Sequence, residues 1–363
     1  MGGHFQGARE RPNGPRQRDG ECSRGAGRNR QIHRGLCSPS QFSTPRVECT
    51  PTRETPIARR CPDAPMRVAG QPQARSTVKS TVFVVVLVFS LIATGADAQR
   101  GPDTLGKIKA AKSINVAFSG DSLPFSYVGE GNKPAGYSID LCQRVIAGIG
   151  QAVGEANLKV NWIVGTAAER VQMVATGKAD MECANTTMTQ TRLKDVDFSN
   201  LIFVDGGGFL VTVDAPINRF TDLNGKKIAV IKGTTTEVRL NAAMKARLVN
   251  AQVTTINDGS EGIALLTTGA VDAFAGDKIK LIGLAAQAKD PNKFAMLMED
   301  LSYEPYAFAL PRGDAAMRLE VNRALTKVYV SGDIEGIFAQ WLGKLGRPSG
   351  LLAAMYLLNA IPE

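Results

Sequence analysis

From residue 105 onward the apolar positions follow two alternating rhythms. Short runs rich in apolar and β-branched residues predict strands at Ile114–Phe118, Leu158–Val164, Lys227–Ile231, Gln252–Ile256 and Ala270–Gly276. Between them, apolar residues spaced three and four apart predict helices at Asp140–Val153, Ala167–Thr176, Thr236–Leu248, Ser260–Thr268 and Lys278–Ala288. Strand–helix alternation argues for an α/β fold with mostly parallel sheets, in which sites collect at the carboxyl ends of strands. "GKAD" (Gly177–Asp180) and "TGAVDAF" (Thr268–Phe274) each follow a predicted helix and open a strand, so two similar halves are expected.

Two longer stretches break the rhythm. "FSNLIFVDGGGFLVTV" (Phe198–Val213) and "LSYEPYAFALP" (Leu301–Pro311) are extended throughout. They read as a pair of strands crossing between lobes. Lobe 1 then comprises residues 99–204 and 306–363, and lobe 2 comprises residues 205–305. After Pro311, Asp314 can cap a helix whose buried side carries Met317, Val321, Leu325 and Val328. The later helical segments with Trp341 and Leu351–Ala360 read as packing elements.

The first hundred residues differ in kind. Residues 1–65 are rich in Arg, Gly, Pro and Ser without apolar periodicity, the composition of a disordered or mis-called extension. Residues 66–98 have the parts of a secretory signal peptide: basic Arg75 and Lys79, an apolar run at Val82–Ile92, and Ala96-Asp97-Ala98 as the cleavage site. That run is shorter than the roughly 20 residues of a spanning helix. The expected protein is exported to the periplasm.

Charge follows the same division. Residues 1–80 hold 15 Lys and Arg against 6 Asp and Glu, and the remainder holds 28 of each. The net charge of +9 therefore belongs to the leader, and no nucleic-acid partner is implied. Both histidines, His4 and His33, lie in the leader, as do Cys22, Cys37, Cys49 and Cys61. Without histidine, the exported part has no Ser-His or Cys-His pair and no histidine-ligated metal site. Its two cysteines, Cys142 and Cys183, either form a disulfide, which export permits, or stay as buried thiols.

Two hydroxyl-rich clusters carry the candidate chemistry. In "ECANTTMTQTRLKDVDFS" (Glu182–Ser199), Asn185 and four threonines, Thr187 among them, surround Arg192, whose planar fork suits a carboxylate held at two points. In "KGTTTEVRL" (Lys232–Leu240), Thr234 and Glu237 have capping-box spacing after a strand. The amides and dipole of that helix start would favour an anion, with Thr235 and Thr236 adding hydroxyls. No Walker pattern is present, so nucleotide binding is not expected. Asp277, at the end of a strand, is either a helix cap or a receptor for an ammonium group. Together these residues fit a zwitterion.

In their order, "PFSY", "GYSIDLC", "ADMECANTTMTQTRLKDVDFS", "GTTTE" and "DAFAGD" resemble the family 3 extracellular solute-binding proteins, the periplasmic amino-acid receptors of ABC importers. The resemblance covers residues 105–345. It implies a two-lobed Venus-flytrap fold with a two-strand hinge, an L-amino acid as ligand, a membrane permease with its ATPase as partner, a monomeric state and no cofactor. It also implies that Arg192 clamps the ligand α-carboxylate with Thr187 and Thr235, that Asp277 holds the α-amine, and that Arg170 and Phe125 line the site. Two branches fit. "GYSIDLC" and "ECANTT" look closest to glutamate/aspartate binders, but that branch's arginine falls at Ser119, its serine at Ala167 and its histidine at Asp258. "GTTTE" resembles the general amino-acid branch, so an acidic and a neutral polar or broad ligand range both stand. A rival reading on the same fold is a cyclohexadienyl dehydratase-like enzyme using Glu182, Glu169 or Asp277 as acid or base.

Overall fold

The computed structural model describes residues 101–362; the extension, the signal peptide and their cysteines and histidines lie outside the described residues. In chain order lobe 1 begins with α1 (Thr104–Ala111), β1 (Ser113–Phe118) and a small antiparallel sheet of β2 (Asp121–Ser122), β3 (Ser126–Val128) and β4 (Pro134–Ala135). It continues with α2 (Tyr137–Val153), β5 (Lys159–Val164), α3 (Ala167–Ala175) and β6 (Met181–Cys183). The chain then crosses on β7 (Val196–Thr212). Lobe 2 is built from β8 (Lys227–Ile231), α4 (Thr235–Ala246), β9 (Gln252–Ile256), α5 (Gly259–Thr267), β10 (Ala273–Asp277), α6 (Lys278–Gln287) and β11 (Phe294–Met296). It returns on β12 (Ser302–Pro311) to α7 (Ala315–Ser331), α8 (Asp333–Leu342) and α9 (Gly350–Asn359).

One nine-stranded sheet runs through both lobes in the order β5-β1-β6-β12-β7-β10-β8-β9, with β11 also paired to β7. Its two flanks are parallel, β5-β1-β6 and β10-β8-β9. The middle is antiparallel, because β7 and β12 traverse the molecule in opposite directions, from Ser302 opposite Gly207 to Pro311 opposite Val196. Parallel pairing is thus confined to the flanks, a narrower rule than the alternation of elements implies.

The local signals explain most elements. "KIAVI" is a continuous apolar run because both faces are covered: Ile228 and Val230 pack on one side, Ala229 on the other. The same alternation places Ala273 and Ala275 opposite Phe274 in β10. This strand begins only at Ala273, since Gly269 with φ of 72° turns the chain and Val271 plugs the core before pairing starts. Asp314 accepts from the amides of Met317 and Thr104, both at 2.9 Å, so one carboxylate caps α7 and ties down the start of α1. The large apolar core of lobe 1 draws residues from α2, β1 and β6 and also from α7, α8 and α9 after the second crossing. A disulfide joins Cys142 on α2 to Cys183 on β6.

Candidate functional site

A cavity of about 370 Å³ opens between the lobes. The residues that begin four helices line it: Thr166 of α3 from lobe 1, and Thr234, Asp258 and Asp277 of α4, α5 and α6 from lobe 2. Each follows a strand, so the carboxyl ends of the two parallel flanks face one another across the cleft. The lobes approach closely here. A side chain at Gly283 would stand 2.9 Å from the carbonyl oxygen of Leu123 in the other lobe.

Arg192 starts a short 3₁₀ turn after the threonine-rich loop. Its backbone amide donates to Thr189 Oγ1 at 3.1 Å, and its Nη1 donates to the Thr187 carbonyl at 2.8 Å. These bonds fix the fork at the cavity wall. Among the described residues no carboxylate forms an ion pair with it. Burial pulls its pKa below the usual guanidinium value, against the attraction of Glu182, Glu304 and Asp277. A desolvated guanidinium with free donors is an anion receptor.

Arg170 is placed differently. Its Nε donates to Glu182 Oε1 at 2.8 Å, with both side chains buried. Its remaining nitrogens reach the Gly165 carbonyl at 3.0 Å and Thr186 Oγ1 at 3.3 Å. Thr186 also donates to Glu182 at 2.7 Å. The Arg170 charge is therefore neutralised within the wall.

Lobe 2 and the hinge supply acids. Asp277 lines the cavity and, although it sits at the start of α6, its side chain does not cap that helix. It accepts from Tyr306 Oη at 2.6 Å, Thr236 Oγ1 at 3.0 Å and Asn185 Nδ2 at 3.2 Å, the last from across the cleft. Glu304 of β12 is buried and accepts from Thr187 at 2.5 Å and Thr235 at 2.8 Å. Asp205 of β7 shares the Tyr306 hydroxyl at 3.1 Å. Three carboxylates thus gather at the hinge. Burial and the neighbouring Glu304 push Asp277 above the ordinary carboxyl range, and burial with Asp277 pushes Asp205 up to about 7.

That shift has a sign. A carboxyl that holds its proton more tightly when folded stabilises fully below its unfolded value, near 4, and loses this as pH rises through about 7. Asp205→Asn is expected to lessen the fall of stability with pH by about 1 kcal/mol per unit between pH 4 and 7. Urea melts at pH 5, 6, 7 and 8 check this; parallel slopes for the two proteins would reject it.

The sequence-predicted residues Asn185, Thr187, Arg192, Thr234, Thr235, Thr236, Asp277 and Arg170 all line the cavity. Thr234 is committed to its helix: it accepts from the Glu237 amide at 3.2 Å and donates to the Ile231 carbonyl at 2.7 Å. Glu237 reaches back to the Gly233 amide rather than to Thr234, a one-residue departure from the expected capping box. Phe125 needs correction as a lining residue. It is fully buried in an aromatic cluster with Phe203 and Tyr306, ring centroids 4.9 and 5.3 Å away, and supports the tyrosine that holds Asp277. Of the acids considered as catalysts, Glu182 is paired with Arg170, and Glu169 accepts from the amide of Thr166, the cap of α3, at 2.9 Å. Asp258, which stands where the glutamate/aspartate branch has a histidine, accepts from the Glu261 amide at 2.9 Å as the cap of α5.

Sequence reasoning missed Glu304, Asp205, Asp121 and Lys280. Buried acids inside β7 and β12 were a visible signal, since charged residues are rarely buried without a reason. Asp121 and Lys280 form an ion pair at 3.1 Å across the lobes, and Asp121 also accepts from the Gly259 amide at 3.0 Å. Burial alone would raise Asp121, but Lys280 and that amide outweigh it and hold the carboxyl below its usual range. Nothing in the sequence links residues 121 and 280.

Residues 114–344 match the family described as bacterial extracellular solute-binding proteins, family 3. The L-glutamate/L-aspartate-binding protein of Pseudomonas aeruginosa is 33% identical over 275 residues, covering 76% of this chain and 91% of that protein. The glutamate/aspartate import solute-binding protein of Escherichia coli is 29% identical over 265 residues, covering 72% and 88%. Among solved structures, the solute receptor for L-cysteine of Neisseria gonorrhoeae superposes with a TM-score of 0.59 at 25% identity, covering 67% of this chain and 97% of that one.

Proposed function

The chain belongs to the bacterial extracellular solute-binding proteins, family 3, and from that premise we propose that it captures an amino acid between its lobes and delivers it to the membrane permease of an ABC importer. The observation carrying this reading is the pairing of an unsatisfied cation with a group of acids across one cavity. Arg192 takes the α-carboxylate, with the start of α4 and the Thr235 hydroxyl beside it. Asp277 takes the α-ammonium, held ready by Tyr306, Thr236 and Asn185.

A bound zwitterion bridges the lobes, so it binds the closed arrangement better than an open one and shifts the equilibrium toward closure. The antiparallel pair β7–β12 is the hinge. In this reading the protein works in the periplasm as a monomer, after cleavage of a leader ending at Ala98, and the permease with its ATPase reads the closed form. The relatives reported above are named for binding and import; Glu182 is tied to Arg170 and Glu169 to the Thr166 amide, and in this reading Asp277 is used by the ligand ammonium.

A thermal-shift screen against the twenty amino acids tests this. Ligand at a hundredfold excess over Kd adds about 2.7 kcal/mol, or about 5–10 °C for a chain of this size. No shift with any amino acid, or turnover of prephenate or arogenate, would overturn the proposal.

A further inference from the structure

With Arg192 and Asp277 assigned to the two charged ends of a zwitterion, the rest of the lining must receive its side chain. The remaining cations there are Lys280 and Arg170, and each already has a carboxylate. Lys280 Nζ lies 3.1 Å from Asp121 Oδ2 and 3.3 Å from Ser122 Oγ. Arg170 is paired with the fully buried Glu182. The other charges, Glu169 and Asp258, are acids held on the helix-start amides of α3 and α5.

We infer that the ligand's side chain is uncharged and ends in a carboxamide, as in glutamine or asparagine, and that the Asp121–Lys280 pair reads it. The inference rests on the amino-acid-binding reading above. A second carboxylate finds no free cation here. To gain one it must break an ion pair and strand either Asp121 or Glu182. A cationic side chain meets two guarded cations and acids already engaged. A carboxamide needs one donor and one acceptor side by side, and the joined ammonium and carboxylate of Lys280 and Asp121 offer both. Ser119 belongs to the same network: its hydroxyl lies 2.8 Å from Ser122 Oγ and donates to Asp121 Oδ1 at 3.1 Å. Asp121 is the selective element because it cancels Lys280; Lys280 alone would favour an acid. The Pseudomonas aeruginosa and Escherichia coli relatives carry glutamate and aspartate in their names, and the inference gives this chain the corresponding amides instead.

Calorimetric titration of the purified protein with glutamine, asparagine, glutamate, aspartate and arginine at pH 7 tests the inference, alongside Asp121→Asn. The variant keeps an oxygen for the Gly259 amide, and its melt is recorded first to establish folding. Wild-type protein is expected to bind glutamine or asparagine at least tenfold more tightly than the matching acid. The variant is expected to move that ratio at least tenfold toward the acid. Tighter binding of glutamate, aspartate or arginine by wild type overturns the inference while leaving amino-acid capture intact. An unmoved ratio in a folded Asp121→Asn protein also overturns it. Binding to none of these five, with a thermal shift from another amino acid, overturns it too; no binding here and no shift with any of the twenty instead removes the reading on which it rests.

Discussion

Arg192→Ala is expected to abolish amino-acid binding while the protein still melts cooperatively. The guanidinium is fixed by the Thr187 carbonyl and has no carboxylate partner among the described residues. Removing it breaks no ion pair, and the acids that attract it keep their hydrogen bonds: Glu304 to Thr187 and Thr235, Asp277 to Tyr306, and Glu182 to Arg170. In the complex the loss is far larger, because the ligand carboxylate would enter a desolvated wall already populated by Glu182, Glu304 and Asp277. Truncating one member of a buried charge pair costs about 2–5 kcal/mol, so Kd should rise by about thirtyfold to several thousandfold. Arg192→Lys should recover only part of this, since a single ammonium cannot replace a fork addressing two oxygens. Calorimetric titration with the best ligand of the thermal-shift screen is the measurement. Micromolar affinity retained in Arg192→Ala would end the carboxylate assignment.

Asp277→Asn should separate the two ends of the ligand. The amide keeps the shape of the side chain and one acceptor for Tyr306, but it loses the negative charge that an ammonium needs. Amino acids should weaken by about 3 kcal/mol, while their deaminated analogues, already poor ligands, change little. A second effect runs the other way. Asp277 sits beside Asp205 and Glu304, and burial with the Glu304 charge drives its pKa up. Removing one charge from this cluster relieves repulsion, so the variant without ligand should melt at a higher temperature than wild type near neutral pH. Weaker binding with a more stable apo-protein is hard to obtain from a merely structural role. Equal weakening of amino acids and deaminated analogues would assign Asp277 to structure alone.

The hinge acids explain why such a site is poised. Each carboxylate held near others and away from water is disfavoured until a cation arrives, and in the function proposed above the ligand ammonium is that cation. The device depends on Tyr306, whose hydroxyl reaches Asp205 and Asp277 together. Phe125 matters here as the ring packed against that tyrosine, although it does not reach the cavity.

The sequence by itself determined the elements and the family. Apolar runs such as "KIAVI" and helix starts such as "GTTTE" are local signals, governed by period and by capping, and they placed strands and helices within a few residues of β8 and α4. The hydroxyl loop with Arg192 was legible because a fork among threonines has few bland explanations. Tertiary structure decided charge. Arg170 and Arg192 look alike in sequence, yet Glu182 neutralises one within the wall and leaves the other free. Asp121 meets Lys280, and Glu304 meets Thr187 and Thr235, only because two crossing strands fold the lobes against each other. Electrostatic pairing acts over a few ångströms of space, and residues 159 positions apart carry no periodic mark of it in the chain.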